Sequence, residues 1–375
     1  MKNKVEIIAF YLPQFHPFKE NDEWWGKGFT EWTNVGKAKP LFKGHNQPRV
    51  PTELGYYDLR LPIVREQQAQ MAKDAGVTAF CYWHYWFGDG KRLIADIFDD
   101  VLNSGNPNFP FCLGWANHSW YAKNWNKEGS TILNKTLIEQ TYPGKKDMEL
   151  HFNYLAKAFK DSRYLKIDGK PFFYIFDPVS IPEEYIRFIN SRAIEIGFND
   201  GLFLVANVAS TCPLTKQQLL DKGFNAVNYQ RLGGLSQQKV MKQNAQLVKI
   251  KNLCKKLFSL INRKPPFAKD YNSYRNILID KDEDKCEDVI PSLVPQWDHT
   301  PRSGWNGTLF TNATPEVFAK HVIDALEVIK DKPANRQILM LKSWNEWGEG
   351  NFMEPDLTYG RGFIDALKDC LKKYN

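Results

Sequence analysis

The sequence predicts an α/β protein of the (β/α)8 TIM-barrel class, read as one domain over 1–375. Three observations carry that prediction. Eight short apolar runs recur along the chain, each followed by loop residues and then by an amphipathic stretch. The runs are continuously apolar rather than alternating, as expected of strands buried on both faces in a parallel sheet. Polar and aromatic residues gather at the C-terminal ends of the runs, which is where barrels of this class carry their chemistry.

In order, strands are predicted at 5–12, 77–85, 109–116, 171–177, 202–208, 224–230, 289–297 and 337–344. Helices are predicted near 61–75, 91–103, 146–160, 182–196, 214–221, 237–262, 315–330 and 361–373. The stretch Ile63–Ala75 stops at Gly76, a helix C-cap. Thr314-Pro315-Glu316 is a cap with proline at the first helical position. The long segment 13–58, after the first strand, reads as an ordered cap over the barrel mouth rather than a second domain.

Composition narrows the classes. Hydrophobic residues make up 43% and charged residues 25%, so the chain can bury a large core and is not globally disordered. No run approaches the roughly 18–20 apolar residues of a membrane span. The N-terminal apolar run is broken by Glu6 and reads as a strand, not a signal peptide. The six cysteines are scattered without metal or redox spacing, which favours a cytoplasmic setting. His16, His84, His118 and His299 lack the spacing of a zinc site, and neither a phosphate-binding loop nor a dinucleotide motif is present. No metal and no cofactor are therefore expected.

The net charge of +7 is local. Residues 239–269 carry nine Lys and Arg and no Asp or Glu, so the remainder sums to −2. Segment 237–264 reads as a basic amphipathic helix. Two readings stay open for 247–264: an outer barrel helix with a solvated lysine face, or peripheral contact with an anionic inner membrane. Nucleic-acid binding is not expected of one basic helix on a slightly acidic chain.

Ser343-Trp344-Asn345-Glu346-Trp347-Gly348-Glu349-Gly350 is the most informative stretch. A strand sends residues three apart to opposite faces, whereas a helical turn puts them on one face. Gly348 and Gly350 let the chain turn, so Glu346 and Glu349 can face a common point. Carboxylates about 5–5.5 Å apart suit retaining glycoside chemistry, and those about 6.5–9.5 Å apart suit inverting chemistry. Tryptophan beside such a pair suits a sugar, whose C–H face stacks on an aromatic ring.

Further candidates for substrate contact sit at other strand ends and in the cap: Tyr11, Glu31, Trp32, His84, Tyr85, Trp115, Asn117, Asp298, Arg302, Trp344 and Asn345. Each has a structural alternative. Glu31 and Trp32 could belong to a loop that packs its own aromatics, His84 could be a satisfied strand-end histidine, and Asp298 and Arg302 could form a structural ion pair.

Several motifs occur in order: Ala-Phe-Tyr-Leu-Pro-Gln-Phe-His-Pro (9–17), Asn-Asp-Glu-Trp-Trp-Gly-Lys-Gly-Phe-Thr-Glu-Trp-Thr-Asn-Val (21–35) and Ala-Phe-Cys-Tyr-Trp-His-Tyr-Trp-Phe (79–87). Trp-Ala-Asn (115–117), Trp-Asp-His-Thr-Pro-Arg (297–302) and Trp-Asn-Glu-Trp-Gly-Glu-Gly (344–350) follow. From about residue 5 to 373 the chain resembles the WbsX-type glycosyltransferases, a family related to glycoside hydrolase family 99. The resemblance implies a (β/α)8 fold and endo-α-mannosidase-like chemistry with retention. It maps Glu346 onto the carboxylate that assists the substrate's 2-hydroxyl. It maps Glu349 onto the general acid/base at the glycosidic oxygen, which calls for a raised pKa at Glu349. The implied intermediate is a 1,2-anhydro sugar. Relatives usually carry an acidic residue after Trp-Ala-Asn and Asn at the position of His299. Here His118-Ser119 and His299 stand instead, so the resemblance does not fix the sugar.

The expected activity is thus retaining glycosyl transfer or hydrolysis at an α-linked, mannose-like glycoside. The setting is surface polysaccharide (O-antigen or capsule) metabolism, and the partner an oligosaccharide or lipid-linked glycan. The alternatives are a non-catalytic glycan-binding barrel and a membrane-recruited assembly factor.

Overall fold

The computed structural model describes residues 5–123, 134–233, 253 and 267–374. Its core is a parallel barrel of eight strands: β1 (Glu6–Tyr11), β2 (Ala79–Trp86), β3 (Phe111–Trp115), β4 (Lys170–Ile175), β5 (Phe203–Ala209), β6 (Ala226–Gln230), β7 (Val289–Ile290 continued by Ser292–Leu293) and β8 (Ile338–Leu341). Neighbours in sequence are neighbours in the sheet, and β8 returns to β1 in the register Glu6 to Ile338. The first piece of β7 pairs with β6 and the second with β8, so the barrel closes across Pro291. Proline has no N–H to give the ladder, but its carbonyl accepts from Met340 at 3.0 Å. All eight predicted strands are present, and each predicted range contains its strand or overlaps it.

The outer helices follow their sequence signals. Helix Pro62–Ala75 ends on Gly76, which is left-handed at φ +91°. A Cβ there would press on Leu371 of helix Gly362–Tyr374, so the glycine also allows close packing between first and last helices. Thr314 caps helix Pro315–Ile329 by accepting from the Val317 amide.

Some expectations change. The helix predicted at 91–103 starts at Asp96, because Gly88 and Gly90 turn the chain back and Arg92–Leu93 pairs antiparallel with the end of β2. The segment 13–58 contains two short helices, Lys19–Trp25 and Glu31–Lys37. A hairpin of Trp120–Lys123 with Asn134–Ile138 and a helix at Tyr271–Leu278 were not predicted. The basic helix predicted over 237–264, and with it the 247–264 membrane contact, lies outside the described residues except for Leu253. Among the described residues no helix is long and apolar enough to cross a membrane.

Candidate active site

The chain leaves β8 at Leu341 and does not continue as a strand to 344. Asn345–Glu346 forms a two-residue antiparallel bridge with Asn351–Phe352, and the reversal between them is a 3-10 turn, Trp347–Glu349. In such a turn residues three apart eclipse one another, so Glu346 and Glu349 face the same side. Gly350 completes the reversal at φ +55°. A Cβ at Gly350 would stand 2.7 Å from Asp298 Cβ and 2.9 Å from its backbone nitrogen. That nitrogen donates to the Glu349 carbonyl at 2.8 Å, pinning the turn to the loop that follows β7.

Between the two glutamates, Trp347 points the other way. It is buried, stacks on Phe352 with ring centroids 3.7 Å apart, and donates its indole N–H to Glu354 at 2.6 Å. The turn therefore separates its faces: tryptophan into the core, carboxylates into the barrel mouth.

Both carboxylates meet one guanidinium. Arg302 donates from Nη1 to Glu349 at 2.7 Å and from Nη2 to Glu346 at 2.7 Å. Nη2 also lies 2.8 Å from Glu31, at the start of the second cap helix. Gly348 makes this convergence possible, because a Cβ there would collide with the Glu31 carboxylate and lie 3.0 Å from Arg302 Nε. Three acids thus share one cation.

Their proton affinities split as a result. Burial pushes Glu346 up to about 8, helped by the negative charges of Glu349 and Glu31 and opposed by Arg302. Burial also raises Glu349, but Arg302, His299 and Lys342 outweigh it and hold that carboxyl below its ordinary value. The proton of the pair therefore sits on Glu346, whereas the resemblance calls for a raised Glu349.

Glu346 and Glu349 open into a cavity of about 340 Å³ at the C-terminal end of the barrel. Its other polar walls are Gln14, Tyr85, His118, Arg302, Lys342 and Ser343, and its apolar walls include Phe10, Trp83, Trp120, Phe176 and Trp297. Trp83 lies flat on Phe10, with centroids 4.7 Å apart, and fits there because its neighbour across the sheet is Gly114. A Cβ on Gly114 would lie 3.2 Å from the Trp83 ring. Flat aromatic faces beside paired carboxyls can hold a sugar ring by its C–H face while its oxygens meet the acids.

Of the residues singled out from sequence, Glu346, Glu349, Arg302 and Tyr85 line the cavity, and Glu31 joins them through Arg302. The others stand elsewhere, and strand alternation is the main reason. Tyr11 points out of the barrel and donates to Gln68 at 2.7 Å, while its neighbours Phe10 and Leu12 face the cavity. His84 likewise points outward, its Nε2 2.8 Å from that of His151, and burial lowers its pKa to about 3. Trp115 is buried and donates to the Trp86 carbonyl. Trp344 is buried against Phe80. Trp32 packs on Phe15, Tyr57 and Trp347 and donates to the Tyr57 carbonyl. Asn117 clamps the next loop, donating to the Asp177 carbonyl and accepting from the Asp177 amide. Asp298 accepts from Gln47 at 2.7 Å and from Thr300, and meets His45 Nε2 at 2.8 Å, so it ties down the cap instead of facing sugar.

Asn345 is a fastener between barrel ends. Its Oδ1 accepts from the Leu12 amide at 2.7 Å and its Nδ2 donates to the Leu12 carbonyl at 3.0 Å. Asn345→Ala leaves two buried backbone groups of β1's end without partners, at about 1–3 kcal/mol each. Urea denaturation should show a loss of at least that size, and an unchanged midpoint would contradict this role.

Sequence reasoning missed Trp83, Trp120, Phe176 and Lys342 as cavity walls. Period-two alternation could have found the first: once Tyr85 is placed inward, Trp83 must be inward too, and His84 is excluded. Trp120 arrives on the unpredicted hairpin and has no such signal. Among the described residues no group of three or more His, Cys, Asp or Glu could hold a metal ion.

A closed barrel whose mouth holds an arginine-bridged acid pair in an aromatic cavity has the architecture of a carbohydrate-active enzyme. The chain belongs to the WbsX glycosyltransferase family, whose model matches residues 7–367. It is 30% identical over 370 residues to the protein WxcX of Xanthomonas campestris pv. campestris, an alignment covering 98% of this chain and 50% of that one. The chain thus spans about half the length of that relative. In structure it is similar to the glycoside hydrolase family 99 endo-α-mannosidase of Bacteroides thetaiotaomicron, at a TM-score of 0.56 and 15% identity, covering 98% and 97% of the two chains. A glycoside hydrolase-like protein matches at 0.58 and 12%, covering 98% and 94%. At these identities the likeness is one of fold.

Proposed function

We propose that this protein makes or breaks an α-linked, mannose-like glycosidic bond with retention, on a surface-polysaccharide chain or its lipid-linked precursor in the cytoplasm. The observation that carries the proposal is the opening of both Glu346 and Glu349 into one aromatic cavity under a shared arginine. Glu346 draws the proton from the sugar's 2-hydroxyl, which attacks the anomeric carbon. Glu349 protonates the departing oxygen, leaving a 1,2-anhydro sugar, and then deprotonates the acceptor, water or a sugar hydroxyl, which opens the anhydro ring at the anomeric carbon while Glu346 returns its proton to the 2-oxygen. Intramolecular attack by the 2-hydroxyl benefits from a high effective concentration.

Without a sugar, the proton rests on the opposite member of the pair. A glycosidic oxygen or hydroxyl that draws Nη1 of Arg302 away from Glu349 removes the largest influence holding that carboxyl down, and the proton can then pass from Glu346 to Glu349. The three acids and Arg302 act here as one shared reservoir for a single proton.

Glu346→Gln and Glu349→Gln test the assignment on two α-mannosides, one with an alkoxide leaving group and one with an acidic aryl leaving group. Both variants should lose about 10²-fold or more on the alkyl glycoside. On the aryl glycoside, which needs no proton at departure, Glu349→Gln should recover most of the rate of aryl release in the first turnover, and Glu346→Gln should not. Recovery by Glu346→Gln instead would reverse the roles, and undiminished activity in both variants would leave a glycan-binding barrel.

A further inference from the structure

Lys342 directly follows β8, and its ammonium stands in the wall of the cavity, 5.5 Å from the centroid of the Trp297 ring. Its hydrogen-bond partner is neutral: it donates to Gln230 Oε1 at 3.0 Å. Gln230 is itself oriented by donating to Asn228 Oδ1 at 3.0 Å, and Asn228 is held by the Ile290 carbonyl at 2.7 Å and Ser292 Oγ at 2.9 Å. A chain of amides and a hydroxyl thus positions the ammonium without cancelling its charge. Arg302, the other cationic side chain of the cavity wall, is committed to three glutamates. Among the described residues Lys342 forms no ion pair; burial lowers its pKa, and the charges of Glu349 and Glu346 oppose that through space.

A half-buried ammonium costs desolvation free energy. A neutral sugar hydroxyl could be met at this point by an amide or a hydroxyl, and the amides are already in place. A charge retained here has its largest effect on an opposite charge.

We propose that the sugar entering this cavity carries an anionic substituent, a carboxylate or a phosphate ester, and that Lys342 receives it. This rests on the reading of the cavity as a sugar site. It makes Lys342 a specificity-determining residue and the substrate an acidic glycan unit. The competing role is purely electrostatic: Lys342 would tune Glu349 and Glu346, and its loss would then affect neutral and acidic sugars alike.

Equilibrium binding separates these roles. The probes are S-linked α-disaccharides, which resist cleavage: one of mannose, one with a mannuronic acid unit and one with a mannose 6-phosphate unit. The native protein should bind one of the acidic probes about 10- to 100-fold more tightly than the neutral one, the span expected of hydrogen bonds to a charged group. Whichever acidic probe is preferred identifies the substituent. Lys342→Met should abolish the preference, with Lys342→Gln as a second variant and thermal denaturation confirming that both fold. Equal affinity for neutral and acidic probes, or a preference that survives both substitutions, overturns the inference alone. Failure of all three probes to bind overturns the sugar site with it.

Discussion

Replacement of Arg302 by Met should be the most damaging single change in this protein. Glu31, Glu346 and Glu349 all pair with that one guanidinium, and its loss leaves buried negative charge without compensation. Breaking a buried ion pair from one side costs about 3–5 kcal/mol, and activity should fall about 10²-fold or more because the proton reservoir is lost. The pH dependence identifies the cause. Glu346 has a folded pKa of about 8, above its unfolded value of about 4.3. It takes up a proton on folding, so its contribution to stability is greatest at low pH and declines as pH rises toward 8. Glu349 behaves oppositely: its folded pKa is depressed, so it favours the fold above the unfolded pKa and loses that contribution as pH falls. Without Arg302, Glu349 joins Glu346 among the raised acids. The deficit of the variant relative to the native protein should therefore shrink between pH 8.5 and pH 5.5. Urea denaturation at both pH values checks this, and a deficit that is constant or grows at low pH would rule it out. Arg302→Lys keeps the charge but not the fork, and should restore stability more than activity.

Gly348→Ala should separate activity from stability. The added methyl would collide with the Glu31 carboxylate and crowd Arg302 at 3.0 and 3.2 Å. These are the mobile ends of long side chains, so the fold can yield at no more than about 1–3 kcal/mol. The cluster itself cannot yield without moving the guanidinium off the two glutamates. A displacement of about 1 Å in a catalytic group can cost 10²-fold, and a kcat reduction of that order is expected, with a melting temperature lowered by only a few degrees. A variant of full activity would mean that the Glu31–Arg302 contact is dispensable. Gly350→Ala should behave differently, because its methyl would meet backbone atoms of Asp298 and take a left-handed conformation. Its main loss should be in stability.

The barrel was legible because each strand is a short apolar run bounded by turn residues, and that signal is local. The acid turn was legible for the same reason: Glu346, Gly348, Glu349 and Gly350 lie within five consecutive positions. What the sequence could not convey was which way a strand-end side chain points. Tyr11, His84 and Trp115 lie at the correct height in the barrel but face outward, because a one-residue step in a strand exchanges the two faces. Arg302 was recognised as a candidate, but its role as the hub of three acids was not. That role depends on the cap helix at 31–37 reaching the turn at 347–349, a contact set by loop geometry. Lys342 falls inside the range predicted as the eighth strand, 337–344, and only the cavity reveals where its ammonium stands.

The proton-sharing cluster joins residues 271 positions apart through Arg302 and Glu31, and the Asn345 fastener spans 333. No sub-fragment of the polypeptide contains a working half of this machinery. A chain that lacks either its first strand and cap or its last strand cannot bring Glu31, Arg302 and Glu346 together, so the shifted proton affinities belong to the closed ring and to no shorter piece of it.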